Sequence, residues 1–221
     1  MDESQSKSIY DVVVNGKAKE AVQLGLDLHE AGVKSTEIGT VLIEAMNFVG
    51  QQYRERVIAL PQLILATHSF KKILEPYVKE TVAESGKVVM GVVKNDIHDI
   101  GKNLVVGMLQ VYGFQVKDLG KDVPLDKFVE AAKEIGADIV GAGTLLTATM
   151  SELVAIREKM EAAGLRPDVK YMVGGAPITT TFAKKIGAEG YASDAILSVK
   201  TAKALKKGET SYLASKEDRA A

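Results

Sequence analysis

The chain contains no cysteine and no tryptophan, and aromatics make up only 5% of its 221 residues. Without cysteine there is no disulfide framework, no thiol nucleophile, no iron–sulfur cluster and no Cys-ligated zinc. Charge of one sign is also missing. The 28 Lys+Arg face 29 Asp+Glu, which removes the electrostatic case for binding nucleic acid or an anionic membrane surface. No apolar run approaches the roughly 18–20 residues of a membrane span. Met1-Asp2-Glu3-Ser4 is acidic and polar, not the basic start of a secretory signal. These absences lead to the expectation of a cytoplasmic protein whose chemistry comes from a few residues or a bound cofactor. What is present is ordinary globular composition, 46% hydrophobic and 26% charged, unlike that of a disordered chain. At roughly 150 residues per domain, the length allows one large domain or two small ones.

The pattern divides in two. In residues 1–84 apolar residues recur at helical spacing: Ala18, Ala21, Val22, Gly25, Leu26 and His29, then Ile38, Val41, Leu42, Ala45, Met46 and Val49. Gly32 ends the first run, and Ser35 or Thr36 is expected to cap the second. A helix from Pro61 through Leu63, Ile64, Thr67, Lys71, Leu74 and Val78, and a short one at Ile9–Val14, complete a four-helix bundle. After Glu84-Ser85-Gly86 the period changes. Strands are expected at Lys87–Val93, Gln115–Leu119, Asp138–Gly143, Tyr171–Val173 and Gly190–Ala192. Helices follow at Asn103–Tyr112, Leu125–Ile135 and Met150–Ala163, and near Phe182 and Ile196. Five β–α alternations with continuously apolar strands imply an α/β fold with a five-stranded parallel sheet over residues 87–221. The small, charged tail from Lys207 is expected to fray.

Ligands of open α/β sheets bind beyond the C-terminal strand ends. Those ends carry Lys94 to Asn103 after strand one and Gly141-Ala142-Gly143-Thr144-Leu145-Leu146-Thr147 at strand three. Gly174-Gly175-Ala176-Pro177 follows strand four, and strand five holds Tyr191-Ala192-Ser193-Asp194. His98 is the sharpest of these residues. Asp96, two residues earlier, can hold its Nδ1 proton and leave Nε2 as a more basic metal ligand. The competing reading is a loop in which Asp96 or Asp99 caps backbone N–H groups. One histidine cannot hold a bare ion, so a metal bound here is already held by a macrocycle. Neither glycine loop has dinucleotide or P-loop spacing. A phosphoacceptor receiver would need an Asp at residues 140–144, which read Val-Gly-Ala-Gly-Thr.

Asp96-Ile97-His98-Asp99-Ile100-Gly101 matches the Asp-x-His-x-x-Gly signature of cobalamin-binding domains. Val92-Val93, Gly101-Lys102-Asn103-Leu104, Gly174-Gly175-Ala176-Pro177 and Gly190-Tyr191-Ala192 extend the match. The chain resembles corrinoid methyl-carrier proteins of anaerobic methyltransferase systems (methanol, methylamine, glycine betaine or methoxyarene types). It is also similar to the cobalamin-binding region of methionine synthase. The resemblance implies a helical cap over residues 1–84 and a Rossmann-like, flavodoxin-type domain over 87–221. It implies a bound cobalamin (methylcobalamin, cob(I)alamin or a related cobamide), with His98 as lower axial ligand of cobalt and Asp96 orienting it. The nucleotide tail would lie beside Gly101, Gly143, Thr144, Leu145, Thr147, Gly174, Gly175, Tyr191 and Ala192. The family's Ser-x-Leu motif reads Gly143-Thr144-Leu145 here. Its serine hydroxyl is absent, and Thr144 or Thr147 is the candidate substitute. Met46, Val49 and Leu63 could face the cofactor or pack the helical core. Lys102 and Asn103 could touch a phosphate or corrin amide, while His29 and His68 read as packing or surface.

The function so implied is a one-carbon shuttle. A substrate-specific methyltransferase would load a methyl group onto cobalt, and a second methyltransferase would pass it to tetrahydrofolate or coenzyme M. A reductive activase is a further implied partner, and the chain alone would not be a catalyst. Cobalamin-dependent sensors form the rival class. Their light-sensing members carry a Trp in the cap that this chain lacks.

Overall fold

A computed structural model describes residues 1–79 and 85–214, and the chain divides into two compact units, Met1–Thr81 and Val82–Ala221. The expected break at Glu84-Ser85-Gly86 lies partly outside the described residues.

The first unit holds four helices: α1 (Glu3–Val14), α2 (Ala18–Glu30), α3 (Ser35–Arg54) and α4 (Leu60–Lys79). Helix α1 begins earlier than its apolar residues indicate because Asp2 and Gln5 form a reciprocal cap. The Asp2 carboxylate accepts the Gln5 N–H at 2.7 Å, and the Gln5 side chain accepts the Asp2 N–H at 3.0 Å. The N-cap of α3 is Lys34, not Ser35 or Thr36, with Glu37 reaching back to the Lys34 N–H. Helix α2 buries Ala21, Gly25 and Leu28, while Val22 and Leu26 of the expected stripe are exposed. The face is set by Gly25, which lets α2 approach α4 closely; a Cβ there would lie 2.8 Å from the Ile73 carbonyl oxygen. On α4 the buried set is Leu63, Ala66, Thr67, Ser69, Phe70, Ile73 and Leu74, whereas Ile64 is exposed. Met46, Val49 and Leu63 are all buried.

The second unit is an α/β sheet. Its strands are β1 (Gly86–Val92), β2 (Phe114–Asp118), β3 (Ile139–Gly143), β4 (Lys170–Gly174), β5 (Gly190–Ala192) and β6 (Ser211–Leu213). The helices between them are α5 (Ile100–Val111), α6 (Leu125–Ile135), α7 (Met150–Ala162), α8 (Thr180–Lys185) and α9 (Ala195–Lys206). The strand order is β2-β1-β3-β4-β5-β6, all parallel. Val88, Val89, Met90 and Val92 of β1 are all buried, as a strand covered on both faces requires. Phe128, Val140, Leu153, Ile156, Met160 and Tyr171 fill one core layer.

Among the described residues the sheet is six-stranded, not five-stranded. Ser211–Leu213, within the tail expected to fray, pairs with β5, and the Tyr212 hydroxyl donates to the Ala188 carbonyl at 2.7 Å. The reason is β5 itself, whose outer backbone groups would otherwise have no ladder partner. Residues 215–221 of that tail lie outside the described residues.

Candidate corrinoid site at the strand-order switch

The chain leaves β1 for β2 on one side and then places β3 on β1's other side. Strand order therefore reverses between β1 and β3, and the loops after these two strands meet at the resulting crevice. They carry Asp96-Ile97-His98 and Gly143-Thr144-Leu145.

Asp96 is fully buried and accepts four hydrogen bonds. Oδ1 takes the His98 backbone N–H at 3.0 Å and His98 Nδ1 at 2.7 Å. Oδ2 takes the Thr144 hydroxyl at 2.7 Å and the Leu145 N–H at 2.6 Å. A carboxylate offers about four lone-pair sites, and all are filled. Burial by itself would push the Asp96 carboxyl up. The bonds from the His98 amide, the Thr144 hydroxyl, the Leu145 amide and the His98 ring outweigh it and bring the pKa down from 3.8 to about 2. Asp96 is thus an anion at neutral pH, and its Nδ1 contact fixes the proton of a neutral His98 on Nδ1. The His98 side chain is half-exposed. Its Nε2 makes no hydrogen bond among the described residues.

Behind Asp96 stands a second hydroxyl that the sequence reading missed. Thr149 is buried, 2.6 Å from Thr144 Oγ1. Thr144 gives its one proton to the carboxylate, so Thr149 donates to Thr144. Thr149 ends a one-turn 3-10 segment, Thr147–Thr149, that leads into α7. A hydroxyl at a helix start was the available signal, but nothing local linked it to Asp96. Of the two candidates for the missing serine hydroxyl, Thr144 is committed to Asp96, whereas Thr147 is exposed and its hydroxyl makes no hydrogen bond among the described residues.

The glycines have separate roles. Gly175 sits at φ +118 with its α-carbon so close to β3's loop that a Cβ would lie 1.8 Å from the Thr144 carbonyl oxygen. It shapes the Thr144 loop from below. Around Gly101 a Cβ would meet nothing within 4 Å, and at Gly143 it would meet only the Gly174 carbonyl oxygen, at 3.5 Å. A Cβ at Gly174 would lie closer to its neighbour, 3.2 Å from the Ala192 carbonyl oxygen. Gly143, Gly174 and Ala192 stand side by side on successive strand ends. The side chain of Tyr191 is in the core and Ala192 is buried, so β5 brings backbone rather than side chains to this edge. Leu145 and Ile97 are exposed apolar residues beside His98. Lys102 is not an exposed phosphate ligand. Its side chain is buried and bound to the Asp118 carboxylate. Asn103 is buried in the first turn of α5.

The donor set fits a corrinoid: one imidazole with a single free nitrogen, an apolar rim and glycine-bared strand ends. Among the described residues no group of three or more His, Asp or Glu could hold a bare metal ion. A cleft of about 270 Å³ in the helical unit, lined by residues such as Phe48, Gln52, Ile58 and Leu65, has no titratable group in its wall and is not this site. No helix among the described residues is long and apolar enough to cross a membrane.

Fold and site together define a cobalamin-binding protein. Residues 86–200 match the B12 binding domain, and residues 5–75 match a second B12 binding domain model. The chain belongs to this family. It is 40% identical to trimethylamine corrinoid protein 2 of Methanosarcina acetivorans over 194 residues, 84% of this chain and 87% of that one. The monomethylamine corrinoid protein of Methanosarcina barkeri superposes with a TM-score of 0.70 at 31% identity, covering 91% of this chain and 98% of that one. A chain of the methanol:cobalamin methyltransferase complex from the same organism does so at 0.60 and 25% identity, covering 96% and 83%. The receiver-domain reading set aside on sequence grounds finds no support in the site, where residues 140–144 bring a hydroxyl and no carboxylate.

Proposed function

We propose that this chain is the methyl-carrying corrinoid component of a methylamine methyltransferase system. The observation that carries the reading is the His98–Asp96 pair at the strand-order switch, with Nε2 directed to no protein partner. When bound, the corrinoid supplies a cobalt centre that takes up and gives up a methyl group. The protein's part is ligation and orientation. His98 Nε2 would hold the cobalt, and Asp96 holds the tautomer that leaves Nε2 available. The Asp96 carboxyl, held at about 2, is an anion at neutral pH and remains an acceptor for His98 Nδ1. Thr144 and Leu145 keep Asp96 in place while the imidazole engages or leaves the metal. Gly143, Gly174 and Gly175 with the backbone of Ala192 form the strand-end surface for the nucleotide tail, and Thr147, exposed in the same loop, offers the uncommitted hydroxyl.

A methylated amine as donor is supported by the relatives, which are named for trimethylamine and monomethylamine. A methyltransferase partner is supported by the methanol:cobalamin methyltransferase complex to which one structural neighbour belongs. A second methyltransferase that uses tetrahydrofolate or coenzyme M, and a reductive activase, complete the proposed cycle. The test is reconstitution with hydroxocobalamin, gel filtration and absorbance spectroscopy, with His98→Ala alongside. Stoichiometric corrinoid with a His98-dependent, imidazole-ligated spectrum is expected. A colourless protein, or a His98→Ala spectrum identical to wild type, would overturn the assignment.

A further inference from the structure

The loop that carries His98 is held at both ends by one neighbouring segment. Asn95, the residue before Asp96, donates its backbone N–H to Asp122 Oδ1 at 2.7 Å. The Asp122 N–H donates in turn to the Asp96 carbonyl at 3.0 Å. At the far end Lys102, the residue after Gly101, has its buried ammonium on the Asp118 carboxylate. Asp118 also accepts the Gly120 N–H at 2.9 Å. The segment between β2 and α6 is itself stitched to β1. Val92 N–H donates to the Gly120 carbonyl and Val123 N–H to the Val92 carbonyl, at 3.0 and 3.1 Å.

Two backbone conformations mark the same spot. Asn95 lies at φ +65 and Asp122 at φ +54. Asn and Asp tolerate the left-handed region better than other L residues, yet the conformation still costs energy and persists only where surrounding contacts enforce it. Here the two strained residues are bonded to each other. Asp122 is not serving α6, which starts at Leu125 with Pro124 in the N-cap position. Both of its hydrogen bonds among the described residues go to the His98 loop.

We propose that Asp118–Val123 is a brace that presets the His98 imidazole for ligation, with Asp122 as the positioning residue. The inference rests on the reading of His98 as corrinoid ligand. Asp96 holds both the backbone and the ring of His98, and Asp122 holds the backbone of Asp96 and Asn95, so the imidazole inherits its place from Asp122. Without that hold the loop samples other conformations, and apparent ligation falls in proportion to the competent fraction.

The experiment compares Asp122→Ala and Asp122→Asn with wild type and His98→Ala after reconstitution with hydroxocobalamin. It follows the imidazole-ligated fraction by absorbance and, in the cofactor-free proteins, amide hydrogen exchange at Asn95–His98. Asp122→Ala is expected to lower the ligated-to-unligated ratio about tenfold or more, the worth of one hydrogen bond to a charged acceptor, and to speed exchange at those amides. Asn keeps a side-chain oxygen and tolerates the left-handed region, so Asp122→Asn stays within about threefold of wild type. An Asp122→Ala spectrum and exchange pattern equal to wild type overturns the brace, as does an equal loss in both variants. If wild type itself takes up no corrinoid or matches His98→Ala, the ligand assignment fails instead. Amide exchange then still decides whether Asp122 orders the loop.

Discussion

Replacing Thr144 by valine removes one hydroxyl from the buried network around Asp96 and leaves the side-chain shape nearly unchanged. The lowering of the Asp96 pKa from 3.8 to about 2 corresponds to about 2 kcal/mol of stability at neutral pH. The folded-state value is depressed, so this stability is present above pH 3.8 and is lost as pH falls through 2. Thr144→Val deletes one of the four bonds responsible and leaves Thr149 without its acceptor at 2.6 Å. A hydrogen bond to an ionised group contributes about 1.5–3 kcal/mol, and for a chain of this size that lowers the melting temperature by roughly 3–12 °C. Thr144→Ser keeps the donor and loses one buried methyl group, about 0.8 kcal/mol. Thermal unfolding of the cofactor-free proteins, followed by far-ultraviolet circular dichroism at pH 7 and near pH 2, measures both. Valine is expected to fall well below serine at pH 7, with the gap to wild type shrinking in acid as the carboxylate that needed the hydroxyl is protonated. Equal losses in the two variants, or a valine deficit unchanged by pH, would refute the argument that Thr144 acts through the Asp96 charge.

Two further substitutions separate the glycines. Gly175→Ala places a Cβ 1.8 Å from a backbone oxygen at φ +118, so a loss of more than about 3 kcal/mol in denaturant unfolding is expected; a near-neutral variant would mean that the β4 loop moves freely away from Thr144. Gly143→Ser restores the missing motif hydroxyl where only one atom lies within 4 Å, at 3.5 Å. It is expected to tighten cobamide retention by about 0.5–1.5 kcal/mol, roughly two- to tenfold, in equilibrium dialysis. Unchanged retention would show that the tail is held by packing rather than by that hydroxyl.

Much of this protein can be read along the chain, because its strongest signals are local. Buried parallel strands are continuous apolar runs, so β1 and β3 stand out wherever Val, Ile and Met cluster between glycine-bearing turns. Asp96 and His98 are two residues apart, and their contact needs nothing beyond one loop. The helical face of α3 follows from its own periodicity. Periodicity reports which residues avoid water, not which backbone they avoid it against. The face of α2 was therefore decided by the close approach of Gly25 to α4, and β6 formed because β5 exposed an unpaired edge. The site divides the same way. The proposed ligand and the carboxylate bonded to its ring are written in six residues, but two of the groups that keep Asp96 ionised, the Thr144 hydroxyl and the Leu145 amide, lie 48 and 49 residues away. Strand order alone brings those loops together. It also turns Lys102 from an apparently exposed cation into a buried partner of Asp118, and gives Asp122 its hold on the loop that positions His98.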